Sequence, residues 1–144
     1  MIPKRYAYRE NQLKETLKPG IRYEHKFVVP TSKTVPALYP ESAEFVAMPE
    51  VFATGYLVGL LEWACIKAVN PHLDWPKEQT VGTHISVSHE AATPPGLEIT
   101  VTVELTKVEG GWRLKGRWPT SSGGSHGQWA FIGALEKNKN GMPV

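Results

Sequence analysis

Val51-Phe52-Ala53-Thr54-Gly55-Tyr56-Leu57-Val58-Gly59-Leu60-Leu61-Glu62-Trp63-Ala64-Cys65-Ile66-Lys67-Ala68-Val69 is the stretch whose reading decides the fold. Its polar exceptions are Thr54, Glu62 and Lys67, and Asn70-Pro71 closes it. A run this long and this apolar, stopped by a proline, predicts a helix buried on most of its faces. Thr54 before Gly55 reads as its start, because a threonine hydroxyl can cap the free N–H groups of a first turn. Glu62 lies two turns further on, among Val58, Gly59, Leu61, Trp63 and Ile66. A carboxylate in that company needs a partner or a chemical role.

The run approaches the length of a membrane span. Glu62 near its middle and Lys67 near its end argue against that reading, since each would cost about 2.5–3.5 kcal/mol in lipid. The strands on either side also need something to wrap. The helix is therefore expected to be the core of a globular domain, with no membrane partner.

Length and composition agree with one domain: 144 residues can bury a single core. A net charge of +2 is too weak to suggest nucleic acid. Cys65 is the one cysteine, so no internal disulfide can form, and its default role is that of a small buried hydrophobe. No Cys-rich zinc spacing is present, and neither metal nor other cofactor is expected. Met1-Ile2-Pro3-Lys4-Arg5-Tyr6 leads into polar sequence without an apolar signal region, which predicts a cytoplasmic location.

Upstream of the helix, residues 1–20 read as an arm, loose over 1–10, with a short helix over 11–18 ended by Pro19-Gly20. Residues 23–29 alternate, with Tyr23, His25, Phe27 and Val29 on one face and Glu24 and Lys26 on the other, which predicts a strand. Residues 31–49 carry Pro36, Pro40 and Pro49 but also Val35, Leu38, Tyr39, Phe45, Val46 and Met48. A stretch this long is either a crossover or a lid over a pocket.

Downstream, four strand-like segments follow. Residues 80–89 put Val81, Thr83, Ile85, Val87 and His89 on one face, with Gly82 and His84 on the other. Residues 97–105 alternate without fault, from Leu97 to Leu105. Glu109-Gly110-Gly111 reads as a hairpin turn before 112–118, and 128–135 forms the last strand. Half-polar strands in hairpin-like succession imply an antiparallel sheet with one wet face. Its dry face must cover the single apolar helix. The expected class is thus α+β: a hot-dog fold over 21–136, with residues 137–144 as a tail. The edges of such a sheet need shelter, and dimerisation is the expected remedy.

Three side chains are candidates for chemistry. Thr54 opens the helix, where free N–H groups and the positive end of the dipole favour a developing oxyanion, although a plain cap is the simpler role. Gly55 would let a substrate carbonyl approach the backbone closely. Glu62 could serve as a general base for water, attack an acyl carbon, or merely pair with a cation. His89 completes a hydroxyl, carboxylate and imidazole set, though a lone histidine on an apolar face is more often a satisfied core residue.

These residues carry a resemblance. Lys33-Thr34-Val35, Leu38-Tyr39-Pro40-Glu41, Pro49-Glu50-Val51-Phe52-Ala53-Thr54-Gly55, Glu62-Trp63-Ala64-Cys65, Val81-Gly82-Thr83 and Ser88-His89-Glu90-Ala91-Ala92-Thr93-Pro94-Pro95-Gly96 together resemble the fluoroacetyl-CoA thioesterase family of hot-dog proteins. The resemblance spans residues 20–109. It implies a homodimer that hydrolyses a small acyl-CoA thioester, with Thr54, Glu62 and His89 catalytic. It implies that Gly82 helps hold the thioester carbonyl and that Val35, Leu38, Phe45 and Met48 close the acyl pocket, which Val58 would also wall. It fades after Gly110: relatives carry Thr-His-Glu-Arg on the last strand, where this chain reads Ser125-His126-Gly127-Gln128-Trp129. Met48 also stands where fluoroacetyl-selective relatives have an aromatic. The alternative function is an acyl-thioester or small-ligand binding protein without turnover. A nucleic-acid role for Arg113, Lys115 and Arg117 is disfavoured, since one basic strand face is usually a solvated face.

Overall fold

The computed structural model describes residues 14–108 in full and, as backbone, two further strands at 112–119 and 126–137. The predicted loose arm over 1–10, the hairpin turn at 109–111 and residues 138–144 of the tail lie outside the described residues.

Five strands form one sheet: β1 (Arg22–Val28), β2 (Glu78–Val87), β3 (Glu98–Lys107), β4 (Trp112–Pro119) and β5 (His126–Lys137). Their order is β1-β3-β4-β5-β2, and every neighbouring pair is antiparallel. All five predicted strands are present, and on β1 and β3 the faces predicted from alternation are borne out. Ile99, Val101, Val103 and Leu105 are at most 1% exposed, while Glu98 and Lys107 face water. On β1, His25 is buried and Phe27 half-buried, whereas Glu24 and Lys26 are exposed. These inward side chains close on α3 (Thr54–Val69).

Seven residues of α3 are buried: Leu57, Leu60, Leu61, Ala64, Cys65, Ala68 and Val69. Their spacing makes one stripe on a helix of 3.6 residues per turn. The opposite side, with Gly55, Gly59, Trp63 and Lys67, is exposed. The expectation of burial on most faces is therefore corrected: within one protomer the sheet covers only one side of the helix. Cys65 lies in the buried stripe at 2% exposure, and burial pushes its thiol far above the ordinary range. None of the helices among the described residues is long and apolar enough to cross a membrane.

Two local expectations are also corrected. Of the helix predicted over 11–18, residues 11–13 lie outside the described residues, and residues 14–18 form a turn rather than a helix, with Leu17 N–H donating to Lys14 O at 2.8 Å. So short a helix is marginal alone, and tertiary contacts decide instead. Leu17 enters the core, and Lys14 Nζ donates to Leu73 O at 3.0 Å. On β2 the register slips between Gly82 and His84. Gly82 and Ile85 face Gly133 and Phe131, two residues apart on β5, so they share a side of the sheet. Val81, read as inward, is 39% exposed, and Thr83 is exposed too.

The proline-rich stretch holds two one-turn helices, α1 (Val35–Leu38) and α2 (Ala43–Val46), after a 3-10 turn at Thr31–Lys33. Ser42 caps α2 by accepting from Phe45 N–H at 3.3 Å. Backbone bonds tie the stretch to the approach of α3: Val35 N–H to Val51 O at 2.9 Å, and Ala53 N–H to Lys33 O at 3.0 Å.

Candidate active site

The start of α3 is held from two sides. Ala53 N–H bonds Lys33 O, and Phe52 N–H bonds Thr93 O at 2.8 Å. Thr34 and Thr93, at 1% and 3% exposure, are the buried threonines of these clamping segments. The first intrahelical bond runs from Leu57 N–H to Ala53 O at 2.9 Å. The amides of Thr54, Gly55 and Tyr56 thus have no acceptor inside the helix, and together they form a positive, donor-rich end.

Thr54 is not the cap it was expected to be. Ala53 holds that position without a side-chain bond, and Thr54 is the first helical residue. Its hydroxyl is thereby free for another partner. Thr54 Oγ1 and His89 Nδ1 are hydrogen-bonded at 2.8 Å. His89 lies two residues beyond the end of β2, in the connection to Thr93. Burial holds its imidazole below the ordinary value of 6.5, with a hydrogen bond to the backbone of Ala91 acting the other way. The ring is consequently neutral near pH 7.

Glu62 is half-buried on α3 and accepts a hydrogen bond from Gly82 N–H at 3.3 Å. The partner demanded by its apolar company is therefore a backbone amide of β2, at the register slip. Glu62 makes no ion pair of 4 Å or less among the described residues. Glu62 lies eight positions after Thr54 along the helix, a rise of about 12 Å. One protomer thus presents two pairs, Thr54–His89 and Glu62–Gly82, rather than one assembled trio.

Of the expected pocket residues, Leu38 meets the helix start: both its δ-methyls would lie 3.5 Å from a Cβ placed on Gly55. Val35, Phe45 and Val58 are half-buried, Phe45 packing on Tyr39 with ring centroids 5.4 Å apart. Met48 is 53% exposed. Sequence reading passed over Lys33, whose Nζ lies 4.5 Å from the centre of the Tyr56 ring beside the open helix end. The adjacency of Lys33 to the quoted Thr34-Val35 run was the available signal.

An antiparallel sheet on one long helix, with a hydroxyl–imidazole pair at the helix start, defines a hot-dog protein with an enzyme-like site. The family model for fluoroacetyl-CoA-specific thioesterase matches residues 34–114. The fluoroacetyl-CoA thioesterase of Streptantibioticus cattleyicolor is 56% identical over 105 residues, covering 71% of this chain and 75% of that protein. A variant of the fluoroacetyl-CoA-specific thioesterase FlK, crystallised with fluoroacetate and CoA, is 50% identical with a TM-score of 0.75, covering 86% of this chain and 98% of that one. A thioesterase superfamily member of Thermus thermophilus shares the fold at 22% identity and a TM-score of 0.73, covering 86% and 87% of the two chains. The chain belongs to the fluoroacetyl-CoA-specific thioesterase family.

Proposed function

We propose that the protein hydrolyses a short-chain acyl-CoA thioester, of the fluoroacetyl-CoA kind, to the free acid and CoA. It is an acyl-CoA thioesterase, and its domain is the hot-dog unit over 21–136, between an arm (1–20) and a tail (137–144). The observation that carries the reading is the 2.8 Å contact of Thr54 Oγ1 with His89 Nδ1 beside the first-turn amides, which have no acceptor among the described residues. That is a place for a carbonyl oxygen that gains charge as water adds.

The working unit in this proposal is a homodimer. β2 is an edge strand, and the α3 side bearing Gly55 and Gly59 is uncovered in the protomer. A two-fold axis beside β2 pairs that edge antiparallel with its copy. It sets Thr54–His89 of one protomer against Glu62–Gly82 of the other, because the two pairs lie at opposite ends of the same face. A cytoplasmic location belongs to the same proposal, supported by the buried free thiol of Cys65.

The roles follow from the chemistry. The Thr54 hydroxyl and the amides of the first turn polarise the thioester carbonyl, with Gly55 allowing close approach, while Gly82, whose N–H holds Glu62 Oε1, keeps that carboxylate beside the carbonyl. Glu62 attacks the acyl carbon or takes the proton of the attacking water, and the C–S bond breaks. His89, neutral near pH 7, receives a proton and passes it to the departing thiolate. Val35, Leu38, Phe45, Met48 and Val58 wall a pocket for a short acyl chain, Leu38 limiting its depth over Gly55. A thiol-release assay across short acyl-CoAs tests the reading. Steady release of CoA from a two-carbon substrate is expected. Binding of such thioesters, seen as a rise in melting temperature, with no thiol released would replace hydrolysis with a binding role.

A further inference from the structure

His25 is a polar side chain set in a dry interface. It is 8% exposed, and its Nε2 has no hydrogen-bond partner among the described residues. An unpaired imidazole nitrogen is tolerable there only while the ring is uncharged. What holds the ring is aromatic packing. The Trp63 indole meets it edge-on, with centroids 4.5 Å apart and planes at 65°. The Tyr23 ring stacks on it at 6.4 Å. Lys67 Nζ in turn lies 5.3 Å from the centre of the Trp63 ring.

Among the described residues few charged groups face the imidazole. α3 brings Lys67, while its Glu62 is engaged with Gly82 N–H. β1 brings the Tyr23 phenol and turns Glu24 and Lys26 to the other face. β3 brings Val101, directly opposite His25, and Val103. Among the described residues no carboxylate pairs with His25. A proton arriving on the ring would therefore find no compensating charge.

We propose that His25, Trp63 and Lys67 form an acid-released latch between β1 and α3, in which the neutral imidazole seats the indole and steadies the helical turn that carries Glu62. Burial, then the Lys67 cation, hold the His25 imidazole below its ordinary value of 6.5. The unfolded chain then binds the proton first as pH falls. The latch is fully closed above 6.5 and weakens as pH drops through that value toward the lower one of the folded state. Its consequence for turnover rests on the role given to Glu62; the latch itself does not.

The test is a histidine- and tryptophan-resolved NMR titration of the full chain from pH 8 to pH 5. The His25 ring is expected to titrate with a depressed midpoint, and the Trp63 indole N–H to shift with that same midpoint. Lys67→Met should raise the His25 midpoint by removing the facing cation. In His25→Phe, the Trp63 signal should become independent of pH and the fall in melting temperature between pH 7.5 and pH 5.5 should shrink. An ordinary His25 midpoint, a Trp63 shift that ignores it, or no effect of Lys67→Met would overturn the latch. The wild-type and Lys67→Met titrations decide the matter even if His25→Phe does not fold. If no thioester is turned over at any pH, the hydrolase reading fails, while the NMR titration still judges the latch.

Discussion

Thr54 and His89 come from opposite ends of the central sequence yet sit 2.8 Å apart, one opening α3 and the other just past β2. Because Ala53 is the cap residue, the Thr54 hydroxyl has no structural duty at the helix terminus. Thr54→Val therefore loses no cap, only the solvent-exposed bond to His89, and should cost at most about 1 kcal/mol of stability. Thioester turnover should fall about 10²-fold or more, the scale of a removed oxyanion-site donor. Thr54→Ser should retain most activity. Thermal melts and kcat/KM on one acyl-CoA check both halves.

Glu62→Gln keeps an oxygen to accept from Gly82 N–H but cannot take a proton or attack. Folding should survive, and kcat should drop by about two orders of magnitude or more, the range for a lost general base. A variant with wild-type kcat would remove Glu62 from the chemistry.

Mixing Thr54→Val with Glu62→Gln protomers tests the shared site. If each site draws Thr54 and Glu62 from different protomers, half of the mixed dimer's sites regain both. Random reassortment should restore about a quarter of wild-type activity in the mixture. Activity no higher than that of the separate variants would place both residues in one protomer's site or abolish the dimer.

The acid side of the pH–rate profile should report His89. Its proton-accepting form persists as pH falls through 6.5, because burial lowers the folded-state value. The kcat/KM limb is thus expected to bend below pH 6.5, and to vanish in His89→Gln together with most of the rate. A bend well above 6.5 would contradict the buried setting of the ring.

Gly55→Ala should separate stability from activity. A methyl there would lie 3.5 Å from both δ-carbons of Leu38, an ordinary contact. Replacing a helical glycine should stabilise by about 0.5–1 kcal/mol. The same methyl would stand where the thioester carbonyl must approach, so KM should rise or kcat fall. Melting temperature up with turnover down is the expected signature.

Much of this architecture was legible in the residues because period and burial coincide. Leu97 to Leu105 alternate in sequence, and Ile99, Val101, Val103 and Leu105 of that run are the driest side chains of β3. The stripe from Leu57 to Val69 was equally plain, but its exposed back was not. Trp63 looks apolar and invites burial, yet it is 46% exposed, because a single sheet has only one face to offer. The slip at Thr83 leaves no mark in the alternation, which therefore puts Val81 on the wrong side. Thr54 has the composition of a cap, and only the backbone shows that the cap lies one residue earlier. Glu62 was noticed for its surroundings, but a partner 20 residues away in the backbone of Gly82 has no sequence signature.

The depth of Cys65 has a practical side. The residue is 2% exposed and its thiol is kept protonated, so a chromogenic disulfide should not react with the native chain. Colour developed in a CoA-release experiment then belongs to product alone. The same reagent becomes a clock for opening of the core, since the one thiol answers only when α3 leaves the sheet.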